Sequence, residues 1–221
     1  MELVNQIINW LSLVVIILTF VITILYRKRT NLAPIKAYIF VSIIANLLVN
    51  SFDSFLSKSY FEKIEQVTFN IYSLLEISLI FYFLFFRIKG KLARKIILIF
   101  FFLYIGVCIL IWLSHHEIFF SFMPAFAGAE GIIITVCCLI YMYEILKSEL
   151  DIDLMRDSNF IATCGILFYF SLSIPTYFSW FNLRYLAPDF HQIAILANSV
   201  FYTILFISFM KAYLCPIPNQ Q

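Results

Sequence analysis

Residues 67–95 read VTFNIYSLLEISLIFYFLFFRIKGKLARK. The apolar run 67–86 is long enough to cross the roughly 30 Å hydrocarbon core of a bilayer, which takes about 20 residues of helix. It is too long for a barrel strand of about 10 residues, and it does not alternate. It ends in Arg87, Lys89, Lys91, Arg94 and Lys95, a basic cluster of the kind retained on the cytoplasmic side. A single carboxylic acid, Glu76, lies halfway along it. A membrane span, an orientation and a candidate site are therefore all legible here, and the rest of the chain extends each of them.

Six further apolar runs occupy 3–26, 37–55, 96–114, 122–146, 160–180 and 191–213. The 221 residues are 63% hydrophobic and 13% charged, with a mean hydropathy of +0.95. Soluble domains carry about 25% charged residues. The expected fold is all-α: a polytopic membrane protein, one domain over 1–221 forming a seven-transmembrane helix bundle with short loops. Met1-Glu2 lacks the basic start of a secretory signal, so the first run is expected to stay as the first helix.

The loops set the frame. Arg27, Lys28, Arg29 and Lys36, the cluster from Arg87 to Lys95, Lys147 with Arg156, and Lys211 all fall on one side, leaving only Lys58, Lys63 and Arg184 on the other. The positive-inside rule then puts the N-terminus outside and the C-terminus in the cytoplasm of a multi-pass protein. Trp10, Trp112 and Trp180 fit an outer interfacial belt. The five cysteines, Cys108, Cys137, Cys138, Cys164 and Cys215, sit in the spans or at the inner end, so no disulfide framework is expected. A net charge of +2 points to no nucleic acid, and the expected partner is the lipid bilayer, with anionic headgroups beside the basic loops.

Two carboxylic acids lie where ionisation costs at least ~2.5–3.5 kcal/mol on insertion scales: Glu76, and Glu130 in Gly128-Ala129-Glu130-Gly131. Both are expected to face the bundle interior. The flanking glycines imply a close helix approach or space for a ligand. Other polar residues share helix faces with them. Ser42, Asn46, Asn50 and Asp53 step by four, four and three along the second span. His191, Asn198 and Tyr202 do so along the seventh. Tyr72 and Glu76 are one turn apart in the third, with Asn70 and Ser73 on a neighbouring row. Such stripes converge on an outward-facing polar pocket with acids at its floor. Its candidate ligand-binding residues are Glu76, Glu130, Asn46, Asn50, Asp53, Asn70, Tyr72, Asn198 and Tyr202. Acids at the floor favour a small cationic or hydroxyl-rich ligand, or a proton. The alternative is a dry core in which the acids are interhelical polar glue. Pro175, near Ser171 and Ser173, removes a backbone hydrogen bond from the sixth span and is the candidate hinge.

Several chemistries lack their motifs. Retinal needs a lysine in mid-membrane, and Lys211 lies about 30 Å along the helix from His191. His115-His116-Glu117 is not followed by the second histidine of a zincin helix, and no Gly-x-Ser-x-Gly elbow is present. No metal, no cofactor and no catalytic residue is expected. The polar loop 147–158, with Glu149, Asp151, Asp153 and Asp157, reads as a solvated loop or as a docking patch for a membrane or cytoplasmic signalling partner.

Asn70-Ile71-Tyr72-Ser73-Leu74-Leu75-Glu76 and Gly165-Ile166-Leu167-Phe168-Tyr169-Phe170-Ser171 resemble segments of small uncharacterised seven-helix membrane proteins of Bacteroidetes-type bacteria, some encoded beside sensor histidine kinases. That resemblance covers spans three to seven and implies a sensory role and a bacterial inner membrane as the location. The topology is also similar to the SWEET and PQ-loop carriers, whose three-plus-one-plus-three helices place a binding asparagine in spans three and seven. Asn70 and Asn198 would match, although the Pro-Gln dipeptide is missing. The leading expectation is a ligand-sensing or signal-input protein passing its state to a partner. The alternatives are a small-solute or proton-coupled transporter and a structural subunit of a membrane complex.

Overall fold

A chain surrounded by hydrocarbon must satisfy its backbone N–H and C=O groups within itself, and a helix does this over every apolar run. The computed structural model describes residues 2–26, 32–53, 58–114, 124–147, 153–186 and 188–215. Among these residues there is no strand. The helices are α1 (Glu2–Leu25), α2 (Ala33–Asp53), α3 (Lys58–Phe85), α4 (Lys91–Ser114), α5 (Pro124–Lys147), α6 (Ser158–Leu186) and α7 (Pro188–Leu214), with a 3-10 turn at Leu154–Arg156. Five of them contain segments long and apolar enough to cross a membrane: Ile64–Phe85, Lys91–Ser114, Phe126–Lys147, Ser158–Phe178 and Gln192–Leu214. The apolar stretches of the first two helices, Trp10–Leu25 and Ala33–Leu48, are shorter. The chain is thus an all-helical, multi-pass membrane protein. Its helices overrun the apolar spans. α3 starts at Lys58 rather than 67, and α6 runs on to Leu186 rather than 180, because a helix does not stop where its hydrophobicity does.

Neighbours in the bundle are α1 with α2, α2 with α3, α3 with α5, α5 with α6, α6 with α7, and α7 with α1. These six helices close a ring. α4 lies outside it, against α5 and α3, and its outer face is apolar: Ile99, Phe102, Leu103, Leu110 and Leu113 are all exposed. That inverts the pattern of a soluble protein and suits contact with lipid.

Small residues bring the helices together, as they do where no hydrophobic effect drives helix association. A Cβ on Gly165 of α6 would lie 2.5 Å from Ser208 Cβ of α7. A Cβ on Gly131 of α5 would lie 3.0 Å from Ile174 and 3.5 Å from the Phe170 carbonyl of α6, and one on Gly128 would meet the Phe178 ring at 2.7 Å. The glycines flanking Glu130 therefore serve close approach of α5 to α6. Hydroxyl pairs add to this packing. Ser12 of α1 meets Thr203 of α7 at 2.8 Å, and the Tyr213 hydroxyl of α7 donates to the Leu32 carbonyl at 2.9 Å.

The bundle has two unlike halves. Toward the end formed by the last turns of α3 and α7, buried Ile39, Ile77, Ile80, Phe83, Phe206, Phe209 and Tyr213 make a dry core. Tyr38 stacks on Phe206 with ring centroids 6.0 Å apart and meets Phe209 edge-on at 5.8 Å. Polar side chains gather in the other half.

Candidate functional site

The helical period decides which side chains meet. On α2, Tyr38, Ser42 and Asn46 are each one turn apart. On α3, Tyr72 and Glu76 are one turn apart, with Ser73 beside them. Where the two faces oppose, a hydrogen-bonded cluster forms. Tyr38 donates its hydroxyl to Glu76 Oε1 at 2.7 Å, and Tyr72 donates to the same oxygen at 3.3 Å. The Tyr72 hydroxyl lies 3.1 Å from that of Tyr38, 3.0 Å from Ser42 Oγ and 3.1 Å from the Tyr202 hydroxyl of α7. Asn46 Nδ2 donates to the Ser42 carbonyl at 2.8 Å. Glu76, 7% exposed, is thus tied to α2 directly and to α7 through Tyr72.

Glu130 is buried more deeply, at 2% exposure. Its Oε2 accepts from Ser73 Oγ, joining α5 to α3. Its Oε1 has no hydrogen-bond partner, although a buried carboxyl oxygen is costly to leave unsatisfied. On the far side, Ser173 of α6 donates to Asn198 Oδ1 of α7 at 2.6 Å.

Between these groups lies a cavity of about 230 Å³, far more than the roughly 10–15 Å³ that one water needs. Ala45 and Asn46 line it from α2, Thr68, Phe69, Tyr72, Ser73 and Glu76 from α3, Ala127 and Glu130 from α5, Tyr169, Phe170 and Tyr177 from α6, and Asn198, Ser199 and Tyr202 from α7. No lysine, arginine or histidine is among these residues. Two carboxyl groups therefore face one space, with no cationic side chain among the described residues of its wall. Such a space has the chemistry to take up a cation or a proton. Among the described residues no group of histidine, cysteine, aspartate and glutamate is placed to hold a metal ion.

Six of the residues singled out by sequence meet here: Glu76, Glu130, Asn46, Tyr72, Asn198 and Tyr202. Asn70 is half-buried and is not among the residues that line the cavity, so the two asparagines of the carrier resemblance do not share one wall. The side chains of Asn50, Asp53 and His191 lie outside the described residues, as do His115, His116 and Glu117. Pro175 stands in an unbroken α6, two residues before Tyr177. Sequence reading missed Tyr38, Tyr169 and Tyr177. Tyr38 extends the α2 stripe by one turn, and Tyr169, Ser173 and Tyr177 form a stripe of their own on α6.

The opposite end of the bundle is held by charge. Glu144 of α5 accepts the backbone N–H of Lys89 at 2.6 Å and of Gly90 at 2.8 Å, capping the start of α4 with a carboxylate. Arg87 donates from Nε to Asn159 Oδ1 at 2.9 Å and lies over the Phe83 ring, 3.7 Å from its centroid. Burial pushes this guanidinium down to about 10, against the opposing pull of Tyr141 and Asp157, and it remains charged at neutral pH. Asp157 caps α6 by accepting from Phe160 N at 2.7 Å.

No protein-family model matches the chain, and neither a curated protein nor a solved structure matches it.

Proposed function

We propose that the chain is a ligand-sensing or signal-input protein of seven membrane spans, with its N-terminus outside and its C-terminus in the cytoplasm of a bacterium. The observation that carries this reading is the cavity that Glu76 and Glu130 line, backed by a layer of aromatic and branched side chains. Phe206 and Phe209 follow Tyr202 by about one and two helical turns, roughly 6 and 10 Å, and are fully buried. A blind pocket suits occupancy better than passage. The distribution of basic loops supports an outward mouth.

Occupancy would act through the cluster that joins α2, α3 and α7. A ligand or proton that takes up a carboxyl oxygen of Glu76 or Glu130 competes with Tyr38, Tyr72 or Ser73 for it. The hydrogen bonds between helices then redistribute, and the packing of the helices shifts with them. α6 yields most readily at Pro175, which cannot donate to the Ser171 carbonyl. A partner reads the change at the basic turn before α4 and at the polar segment before α6, where Glu144, Arg87 and Asp157 tie the helix ends.

Native mass spectrometry of the protein purified in mild detergent tests this. The expected result is a small-molecule adduct on the wild type that is lost in the double variant Glu76→Gln, Glu130→Gln. An adduct unaffected by both substitutions sinks the reading, as does failure of any compound in a broad metabolite panel to bind. A carrier using the same pocket is the second reading, favoured by the place of Asn198 in the wall. Solute flux into proteoliposomes distinguishes it.

A further inference from the structure

We infer that the cavity ligand is a small organic ammonium ion, an inference that rests on the ligand-pocket reading above and names its chemistry. Three observations converge on this class.

The first is charge. Glu76 and Glu130 both border the cavity, and among the described residues that line it none is basic. Buried charges in proteins are paired or neutralised. The ion pair of Arg156 with Asp153, at 3.2 Å, lies elsewhere. A cation in the cavity gives the carboxyl groups a counter-charge that the described wall residues do not supply. Glu130 Oε1, buried and without a hydrogen-bond partner, is the oxygen left free to receive it.

The second is the wall itself. Tyr72, Tyr169, Tyr177, Tyr202, Phe69 and Phe170 contribute rings from three helices, and the Tyr169 and Tyr202 rings are 5.5 Å apart. Aromatic rings around an anionic group recognise alkylated ammonium through their π-electrons, whereas a hard cation such as calcium asks for about six to eight oxygen ligands. Apart from Glu130 Oε1, the hydroxyl and carbonyl oxygens of the cluster are largely committed to one another. Tyr38 and Tyr72 share Glu76 Oε1, Tyr72 also pairs with Ser42 and Tyr202, and Ser173 holds the Asn198 carbonyl oxygen. The same commitment argues against a sugar or polyol, which needs several free donors and acceptors. The third is size. About 230 Å³ lies below the roughly 300–1,000 Å³ of pockets for drug-sized ligands, so the molecule is a small amine.

The test uses the full chain in detergent micelles and follows thermal unfolding and equilibrium binding with tetramethylammonium, choline, potassium and sorbitol. The expected result is a melting temperature that keeps rising with each tenfold increase in tetramethylammonium or choline, with no rise for potassium or sorbitol at equal concentration. Glu130→Gln keeps the side-chain shape and weakens ammonium binding at least about tenfold, the effect of losing a charge-assisted contact. Tyr169→Leu removes one ring and weakens it about 2- to 30-fold. Ala127→Met narrows the cavity without touching a charge, and also weakens binding. Sorbitol or potassium binding in place of the ammonium ions, and lost in Ala127→Met, overturns the ammonium assignment while the pocket reading stands. Ammonium binding unchanged in all three variants overturns the assignment to this cavity. Binding by no compound of this set or of a wider metabolite panel overturns both readings together.

Discussion

The Tyr38 hydroxyl on α2 lies 2.7 Å from Glu76 Oε1 on α3, with the ring of Tyr38 stacked on Phe206 beneath it. One residue therefore belongs to both halves of the bundle. Its hydroxyl closes the polar cluster, and its ring is the top of the dry core. Tyr38→Phe keeps the ring and removes the donor. Leaving a buried acceptor short of a donor costs about 1–3 kcal/mol, so the melting temperature is expected to fall by several degrees. Combined with Glu76→Leu, the loss is expected to be smaller than the sum of the two single losses, because both remove the same interaction. Thermal unfolding of the four proteins in one detergent checks this, and strictly additive losses would contradict it.

The two glycines at 165 and 106 are expected to behave oppositely. A Cβ on Gly165 collides with Ser208 Cβ at 2.5 Å, whereas a Cβ on Gly106 has nothing within 4 Å. Gly165→Ala forces α6 and α7 apart and costs about 1–3 kcal/mol. Gly106→Ala gains up to about 1 kcal/mol of helix propensity on the outer helix α4. Ser208→Gly removes the atom that the methyl group introduced at position 165 would strike, so Gly165→Ala with Ser208→Gly should be more stable than the two separate losses imply. Melting temperatures decide each case.

The helices were legible in the sequence because long apolar runs fold as helices in a bilayer, five of them with a membrane-length apolar segment among the described residues, and the helix bounds slipped where polar turns such as Lys58 to Gln66 continue a helix beyond its apolar part. Glu76 and Glu130 were legible for the same reason, since an acid amid Leu, Ile and Phe stands out. Tyr38 did not stand out, because tyrosine belongs equally to cores, interfaces and sites, and only Glu76 on another helix gives its hydroxyl a purpose. Asn70 shows the converse. Its type and depth matched the expected site, but Phe69, Tyr72 and Ser73 on either side of it line the cavity and Asn70 does not. Periodicity reports which residues share a face; it does not report where that face points.

Glu144 links α5 to the start of α4 through the Lys89 and Gly90 amides. Glu144→Ala is expected to cost about 1–2 kcal/mol, the range for loss of a helix cap. Glu144→Gln should cost less, since its carbonyl oxygen still accepts one of the two N–H groups. The specific readout is hydrogen exchange: protection of the amides at 89 and 90 should fall in Glu144→Ala while that of the α6–α7 contact is unchanged. Equal loss across the bundle would make Glu144 a general stabiliser rather than the cap of α4.

The cavity and the core beneath it make opposite predictions for a membrane-impermeant cationic thiol reagent. Of the five native cysteines only Cys164 is partly exposed, so a Cys164→Ser background removes the readiest native target. Ser199→Cys places a thiol in the cavity wall, and Ile80→Cys places one a single turn beyond Glu76, at a side chain that is 2% exposed. Ser199→Cys is expected to react when the reagent is added on the side of the sparsely charged loops, and saturating choline should slow it. Ile80→Cys is expected to stay unreacted from both sides, because Phe83, Phe206 and Phe209 are fully buried around that level. The comparison separates sensing from transport. A sensor keeps its floor closed while its helices shift. A carrier must open the floor in every cycle, which would expose the thiol at 80 to reagent on the basic side, with labelling there faster when a transported solute is present.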